Sequence, residues 1–199
     1  MHLFQRVRKT GVLLTLCLLL TSCAPRADSP EARFQTLRDQ LRDLKQLSGH
    51  GVLTADYGER VYTYTVDLSA DAQAGTMTVT EPENIAGTVL QWSDGSTRLS
   101  CEDVTLETGP LSDTLSPAQT VPVLLSCWQD GQLLACGWED DNSLLCAQLE
   151  HPEDDSLTAS CWFDADTLAL RRCELAQDGQ TVLTMNLSSF ALETGADAS

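Results

Sequence analysis

The chain has 199 residues and a formal net charge of −17, because 29 acidic side chains outnumber 12 basic ones. A surface this acidic repels phosphate backbones and anionic headgroups, so the charge balance excludes nucleic-acid binding and a polybasic membrane patch. The length is sufficient for one domain with its own hydrophobic core.

The first 23 residues are interpreted as a secretion signal that ends in a lipidated cysteine. Three basic residues within positions 6–9 precede an apolar run at 12–20 that is interrupted by a single threonine. The run is shorter than the roughly 20 residues of a membrane-spanning helix, which favours a cleaved signal. Residues 20–23 (LTSC) resemble the lipobox of bacterial lipoproteins. This resemblance implies cleavage after residue 22 and a diacylglyceryl anchor on Cys23, at the extracytoplasmic face of the cell membrane.

The predicted organisation is a signal peptide over 1–22, a lipidated tether over 23–29 and a single domain over 30–199. Ser29 and Pro30 form a helix start, with the serine as N-cap and the proline in the first turn. Apolar residues then recur at three- and four-residue steps up to Ser48 and Gly49, where the helix is expected to end. This apolar stripe consists of Phe34, Leu37, Leu41, Leu44 and Leu47.

The remainder of the chain is predicted to be mostly antiparallel β. Alternating patterns between His50 and Gly109 indicate about six short strands. Residues 116–119 (SPAQ) form a capping box that starts a second helix, which ends near Gly131 and has an irregular first turn because of Pro122. A meander of hairpins follows, with strands at 132–138, 143–150, 156–163, 168–176 and 180–192. The predicted fold class is therefore α+β.

Six cysteines remain after the signal and the lipidated residue are set aside, and an even number outside the cell suggests disulfides. They are Cys101, Cys127, Cys136, Cys146, Cys161 and Cys173. Counting outward from the predicted turn centres places the last four in one row across neighbouring strands. Opposed strands allow disulfides such as Cys136–Cys146 with Cys161–Cys173, and buried thiols are the alternative. No metal site is expected, since the sequence has no closely spaced cysteine pair.

Catalytic signatures are missing from the sequence. It contains no Gly-x-Ser-x-Gly, no His-Glu-x-x-His and no glycine-rich phosphate loop before a helix. The acidic runs at 139–142 and 153–155 lack EF-hand spacing and are interpreted as solvated turns. We therefore expect a protein that is not an enzyme and that uses no cofactor.

Several local phrases resemble the LolA/LolB-like lipoprotein-carrier superfamily, in particular the LolA-like lipoproteins of Gram-positive, clostridia-type bacteria. The phrases are residues 53–58 (LTADYG), 75–83 (GTMTVTEPE), 85–87 (IAG), 106–111 (LETGPL) and 162–164 (WFD). The resemblance implies a curved half-barrel of about 11 strands with two covering helices. It also implies that the half-barrel binds an acyl chain or a lipoprotein.

A pocket on the concave face is the expected binding site for such an apolar ligand. The candidate lining residues are Tyr62, Tyr64, Val66, Met77, Val79, Leu90, Trp92, Trp138 and Trp162. One alternative is a scaffold lipoprotein with a filled core, which would regulate an envelope or cell-wall enzyme through its surface. A second alternative is an envelope hydrolase whose paired carboxylates meet only in the fold.

Overall fold

The structure is a computed structural model and describes residues 29–93, 96–101, 104–109 and 115–195. The predicted signal over 1–22, the lipidation site Cys23 and the tether up to residue 28 lie outside the described residues. Within the described ranges, no helix is long and apolar enough to cross a bilayer.

Two helices and eleven strands make up the described chain. The helices are α1 (Pro30–Arg42) and α2 (Thr120–Asp130). The strands of the first half are β1 (Leu44–Asp56), β2 (Val61–Ala70), β3 (Ala74–Glu81), β4 (Val89–Ser93), β5 (Ser96–Cys101) and β6 (Val104–Gly109). Those of the second half are β7 (Gln132–Glu139), β8 (Leu144–Glu150), β9 (Leu157–Asp164), β10 (Leu170–Gln177) and β11 (Gln180–Thr194).

The eleven strands form one antiparallel sheet in the order β6-β5-β4-β3-β2-β1-β11-β10-β9-β8-β7. The sheet is curved and unclosed, since β6 and β7 are its two ends. Helix α1 packs against β7 and β8, and α2 packs against β8 and β9. The predicted half-barrel with about 11 strands and two covering helices is therefore confirmed.

The first helix is shorter than the sequence predicts. Ser29 caps it by accepting a hydrogen bond from the Ala32 N–H, but it ends at Arg42. Leu44 and Leu47 belong to β1, where both are buried. Residues three apart normally lie on opposite faces of a strand. A register shift after Leu44 turns both leucines toward the core. The bulge therefore produces the three-residue spacing of apolar residues that the sequence analysis interpreted as a helix.

The second helix begins as predicted. The Ser116 N–H donates to Gln119 Oε1 at 2.7 Å, as one half of a capping box does. Residues Pro117–Gln119 form a 3-10 turn before the regular helix starts at Thr120. The irregular first turn expected from Pro122 is therefore present, and α2 ends at Asp130, next to Gly131.

Arg38 joins the two helices across the core. Its Nε donates to the Trp128 carbonyl at 2.9 Å, and its Nη2 donates to the Gly131 carbonyl at 2.7 Å. These carbonyls lie at the C-terminal end of α2, where a cation also complements the helix dipole. The guanidinium lies 5.1 Å from the centre of the Phe34 ring. Burial lowers the pKa of Arg38, with the nearby Arg42 adding to the effect.

We expect Arg38→Met to lower the free energy of unfolding by about 2 kcal/mol, because hydrogen bonds from a charged donor contribute about 1.5–3 kcal/mol. Urea denaturation followed by circular dichroism measures the loss. Arg42→Met is the matched control: among the described residues Arg42 forms an exposed ion pair with Asp39, 3.1 Å away, and its loss should change stability by less than about 1 kcal/mol. Equal losses in the two variants would contradict a role for Arg38 at the end of α2.

Three of the four cysteines lie in the predicted row, which runs Cys136–Ala147–Cys161–Cys173 across β7–β10, and Cys146 is the one displaced from it. Cys161 lies directly opposite Cys173, as expected. Cys146 lies opposite Gly137 and Trp162, whereas Cys136 lies opposite Ala147. The predicted Cys136–Cys146 pairing is thus off by one residue, because the β7–β8 turn closes on Glu139 and Leu144. A shift of one residue moves a side chain to the other face of the sheet, so Cys146 is on the convex face.

Candidate ligand-binding cavity

A cavity of about 460 Å³ lies between the concave face of β1–β5 and the segment that leads into α2. Its lining is almost entirely apolar. The lining residues are Leu53, Tyr64, Val66, Met77, Val79, Ile85, Thr88, Leu90, Leu99, Cys101, Ser116, Pro117 and Ala118. The volume lies within the range of about 300–1,000 Å³ that is typical of small-molecule sites.

The strand register explains why these side chains share one wall. Met77 lies opposite Leu90, and Leu90 lies opposite Leu99, so three neighbouring strands place apolar residues in one row. Directly opposed residues point to the same face of a sheet. Leu53 and Val66 are both 0% exposed and belong to the packed core at the inner end of the cavity.

The opposite wall is the segment 115–118, which two side chains hold in place. The Tyr57 hydroxyl donates to the Leu115 carbonyl at 3.3 Å. The Leu115 N–H donates to Gln177 Oε1 at 3.0 Å. These bonds tie the segment to the start of the β1–β2 turn and to the end of β10. Both bonds therefore help to hold the lining residues 116–118, which follow Leu115, over the sheet.

The polar groups in the lining are hydroxyls and one thiol. Tyr64, Thr88 and Ser116 carry the hydroxyls, and Cys101 carries the thiol. No described lining residue has a carboxylate or a basic side chain. Burial raises the pKa of Tyr64, and the neighbouring Tyr62 adds to the effect, so the phenol is neutral at physiological pH. The cavity can hold an apolar chain and offer a few uncharged hydrogen-bonding groups.

Five of the predicted lining residues are on the cavity wall, namely Tyr64, Val66, Met77, Val79 and Leu90. Tyr62 is 41% exposed and packs against Tyr57, with ring centres 6.3 Å apart. Trp92 is buried against Gly75, where an added Cβ would lie only 2.3 Å from the indole. Trp92 lines other clefts at the end of β4 and does not face this cavity.

Trp138 and Trp162 do not line the cavity, which corrects the sequence prediction. Trp138 lies on β7 opposite the buried Leu145, in the half of the sheet that α1 covers. Trp162 lies on the convex face, where its Nε1 donates to Glu139 Oε2 at 2.7 Å. The Arg172 guanidinium lies over the same ring, 5.3 Å from its centre. Alternation along β9 puts Trp162 on the face opposite to its buried neighbours Cys161 and Phe163, so period-two spacing excludes it from the concave face.

Several lining residues were not predicted. Leu53 and Leu99 follow the alternating pattern of their strands and were detectable from it. Thr88 and Ile85 lie around a short 3-10 turn, Glu83–Ile85, where no alternation exists. The segment 116–118 is distant in sequence, and only the tertiary fold brings it over the sheet.

All six cysteines of the described domain are unpaired thiols. Cys161 and Cys173 are directly opposed and buried, so they are the one predicted disulfide pair that the register supports. The Trp128 Nε1 donates to Cys161 Sγ at 3.2 Å. Within the described ranges no group of three metal-ligating side chains converges. Formation of a Cys161–Cys173 disulfide remains a prediction.

We expect Cys101 to react first with a thiol reagent such as Ellman's reagent at about pH 8, because the thiolate is the nucleophile and Cys101 is exposed. Burial raises the pKa of Cys127 and of Cys173 to about 12. Burial also raises the pKa of Cys136 to about 11. At that pH a thiol with a pKa of about 12 is ionised in only about one molecule in 10⁴. Cys101→Ser should remove the fast phase, and a fast phase that persists would contradict this ranking.

No protein-family model matches the sequence, and no curated protein matches it. Solved structures do resemble the fold. A DUF1329 family protein from Desulfovibrio piger is 12% identical, with a TM-score of 0.49 over 84% of this chain and 95% of that one. A LolA superfamily protein from Nitrosomonas europaea is 11% identical, with a TM-score of 0.46 over 85% and 96%. A chain from the complex of the CwlD amidase with the GerS lipoprotein of Clostridioides difficile is 12% identical, with a TM-score of 0.44 over 86% and 100%.

Proposed function

We propose that this protein is a lipid-anchored, extracytoplasmic binding protein that holds an apolar ligand, such as an acyl chain, in the cavity of its half-barrel. The cavity carries this proposal. Protein interiors are close-packed and contain few voids larger than a water molecule. The space of about 460 Å³ is a cleft open on one side, and other described clefts have similar volumes, but this one is distinguished by an almost entirely apolar lining.

An exposed apolar strip supports the same function. Leu106 lies opposite Leu99, and Val104 lies opposite Cys101, so both side chains share the face that lines the cavity. They are 57% and 59% exposed. The apolar surface thus continues from the cavity to the β6 end of the sheet. Such a surface offers a hydrocarbon chain a path into the cavity that avoids polar groups.

The anchor explains how the cavity would be held near a source of lipid. Two acyl chains on Cys23 would give stable membrane association, whereas one chain alone would be marginal. A tethered domain would act as an acceptor or a fixed binding protein rather than a diffusing carrier. Binding, and not catalysis, is the proposed role.

Cys23→Ala is expected to move the protein from the membrane fraction to the soluble fraction, because the lipidated thiol is lost. Fractionation followed by immunoblotting measures the shift. Cys101→Ala is the matched control and should stay with the membrane, since Cys101 lies within the folded domain. Retention of the Cys23 variant in washed membranes would contradict lipid anchoring at that residue.

The binding function is tested with the chain from residue 24 onward, which contains every described element. Native mass spectrometry is combined with organic extraction of the purified protein. About one lipid per chain would support the proposal and identify the ligand class. A mass without any bound lipid, together with no uptake of added lipid, would contradict it and favour a scaffold that binds an envelope enzyme through its surface.

A further inference from the structure

The chemistry around the cavity restricts which headgroup its ligand can carry. The polar side chains among the described lining residues are the hydroxyls of Tyr64, Thr88 and Ser116 and the thiol of Cys101. Hydroxyls donate and accept hydrogen bonds without a net charge. They match a headgroup that also bears hydroxyls. They do not neutralise a carboxylate or a phosphate, because these headgroups carry a negative charge and hydroxyls carry none.

Three charged residues that the structure describes, Arg98, Glu83 and Arg60, are close in sequence to the lining or to its strands but are not part of the cavity wall. Arg98 precedes the lining residue Leu99, so alternation along the strand places Arg98 on the convex face. In the strand register it lies opposite Gln91 and Glu107. Glu83 stands two residues before the lining residue Ile85 and adds negative charge. Arg60 lies in the exposed β1–β2 turn, outside the cavity lining.

The net charge of the whole protein also disfavours ligands with an anionic headgroup. A net charge of −17 produces a negative potential that lowers the local concentration of anionic amphiphiles. An anionic headgroup that enters an apolar mouth also loses hydration, and without a cation or several donors this loss is not compensated. Both effects are absent for an uncharged headgroup.

We propose that the cavity selects long-chain amphiphiles with an uncharged, hydroxyl-bearing headgroup, of the monoacylglycerol type, and discriminates against the matching anionic lipids. This inference rests on the proposed binding function and adds the class of ligand. Tyr64, Thr88 and Ser116 are the residues that would hydrogen-bond the headgroup, while Met77, Leu90 and Leu99 contact the chain.

The test uses three probes that share one oleyl-type chain and differ in headgroup charge: monooleoylglycerol, oleate and oleylamine. Their dissociation constants are measured at about pH 8 by displacement of Nile red from the chain starting at residue 24. We expect monooleoylglycerol to bind at least about tenfold more tightly than oleate. Oleylamine should also bind more weakly than the glyceride, because its ammonium loses hydration and meets no carboxylate among the described lining residues. Raising NaCl from about 50 to about 500 mM should narrow the difference between oleate and the glyceride by screening the charges.

A pair of variants tests whether the lack of a basic side chain among the described lining residues causes the selectivity for an uncharged headgroup. Cys101→Lys introduces a positive charge at an exposed lining position and should raise oleate affinity by about fivefold or more, with little change for the glyceride. Cys101→Gln is the uncharged control and should leave the ratio of the two affinities as in the parent protein. An unchanged ratio in the lysine variant would contradict an electrostatic origin of the selectivity.

The remaining outcomes separate the two proposals. If oleate binds as tightly as monooleoylglycerol, the inference on the headgroup is overturned while the binding function stands. If oleate binds more tightly and Arg60→Gln removes the preference, the cation in the β1–β2 turn sets selectivity and the inference is also overturned. If none of the three probes displaces Nile red, the binding function itself fails and the inference fails with it.

Discussion

Val79→Trp is expected to reduce the affinity for an apolar ligand by about tenfold or more, because the indole would occupy space that the ligand needs. Val79 is partly buried, and its side chain points into the cavity. An overpacked core residue typically costs about 1–3 kcal/mol, but here the added atoms enter an existing cavity. We therefore expect the fold to be retained. Titration with an uncharged fluorescent probe measures binding, and thermal unfolding measures stability.

Val52→Trp is the matched control, since it makes the same change on the other side of the sheet. Val52 is 38% exposed on the convex face of β1, next in sequence to the lining residue Leu53. The control should leave binding within about twofold of the parent protein. Equal binding by the two variants would place the ligand elsewhere on the protein.

Trp128→Ala is expected to have the largest effect on stability, a loss of about 3–5 kcal/mol, because it empties the centre of the core. Trp128 is fully buried. Its ring centre lies 5.6 Å from that of Phe163 and 6.2 Å from that of Phe190. Its Nε1 also donates to Cys161 Sγ. Domains are stable by only about 5–15 kcal/mol, so this variant should unfold at a much lower urea concentration.

Trp162→Ala removes the same type of side chain from the convex face. Its indole is partly exposed and contacts Glu139 and Arg172 there. The expected loss is about 1–2 kcal/mol, which corresponds to one hydrogen bond and one exposed cation–π contact. It should also leave ligand binding unchanged. Similar urea midpoints for the two tryptophan variants would contradict the assignment of Trp128 to the core and of Trp162 to the surface.

The sequence patterns located most elements because local chemistry determines where strands turn. The five strands of the second half begin and end within two residues of their predicted bounds. Turn residues such as Asp178 and Gly179 adopt positive φ values of 51° and 76°, which their side chains tolerate well. The capping box at Ser116 marked the start of the second helix for the same reason.

Register was harder to predict than position. Three successive residues of the β7–β8 turn, Asp140, Asp141 and Asn142, have positive φ values. The turn closes between Glu139 and Leu144, half a residue away from the assumed centre. No pattern in the sequence indicates a shift of half a residue in the position of a turn centre. The shift was nevertheless enough to place Cys146 on the wrong face.

The candidate cavity was predictable only on its strand side. Period-two alternation marks Tyr64, Val66, Met77 and Val79 as facing one side of the sheet, and these residues do line the cavity. The opposite wall at 116–118 depends on the hydrogen bonds that Tyr57 and Gln177 make with Leu115. These contacts join residues about 60 apart in sequence, and short-range patterns carry no information about them.

The open end of the sheet at β6 has a consequence for the range of ligands. A closed barrel must break strand-to-strand hydrogen bonds before it can widen. Here β6 is the last strand of the order, and β1 and β11 pair along most of their length at the centre. The β2–β6 half can therefore change its curvature without losing any of these bonds. We expect the protein to accept ligands with hydrocarbon chains of different bulk, because the β2–β6 half of the sheet can bend. The half of the sheet that the two helices cover should bend less.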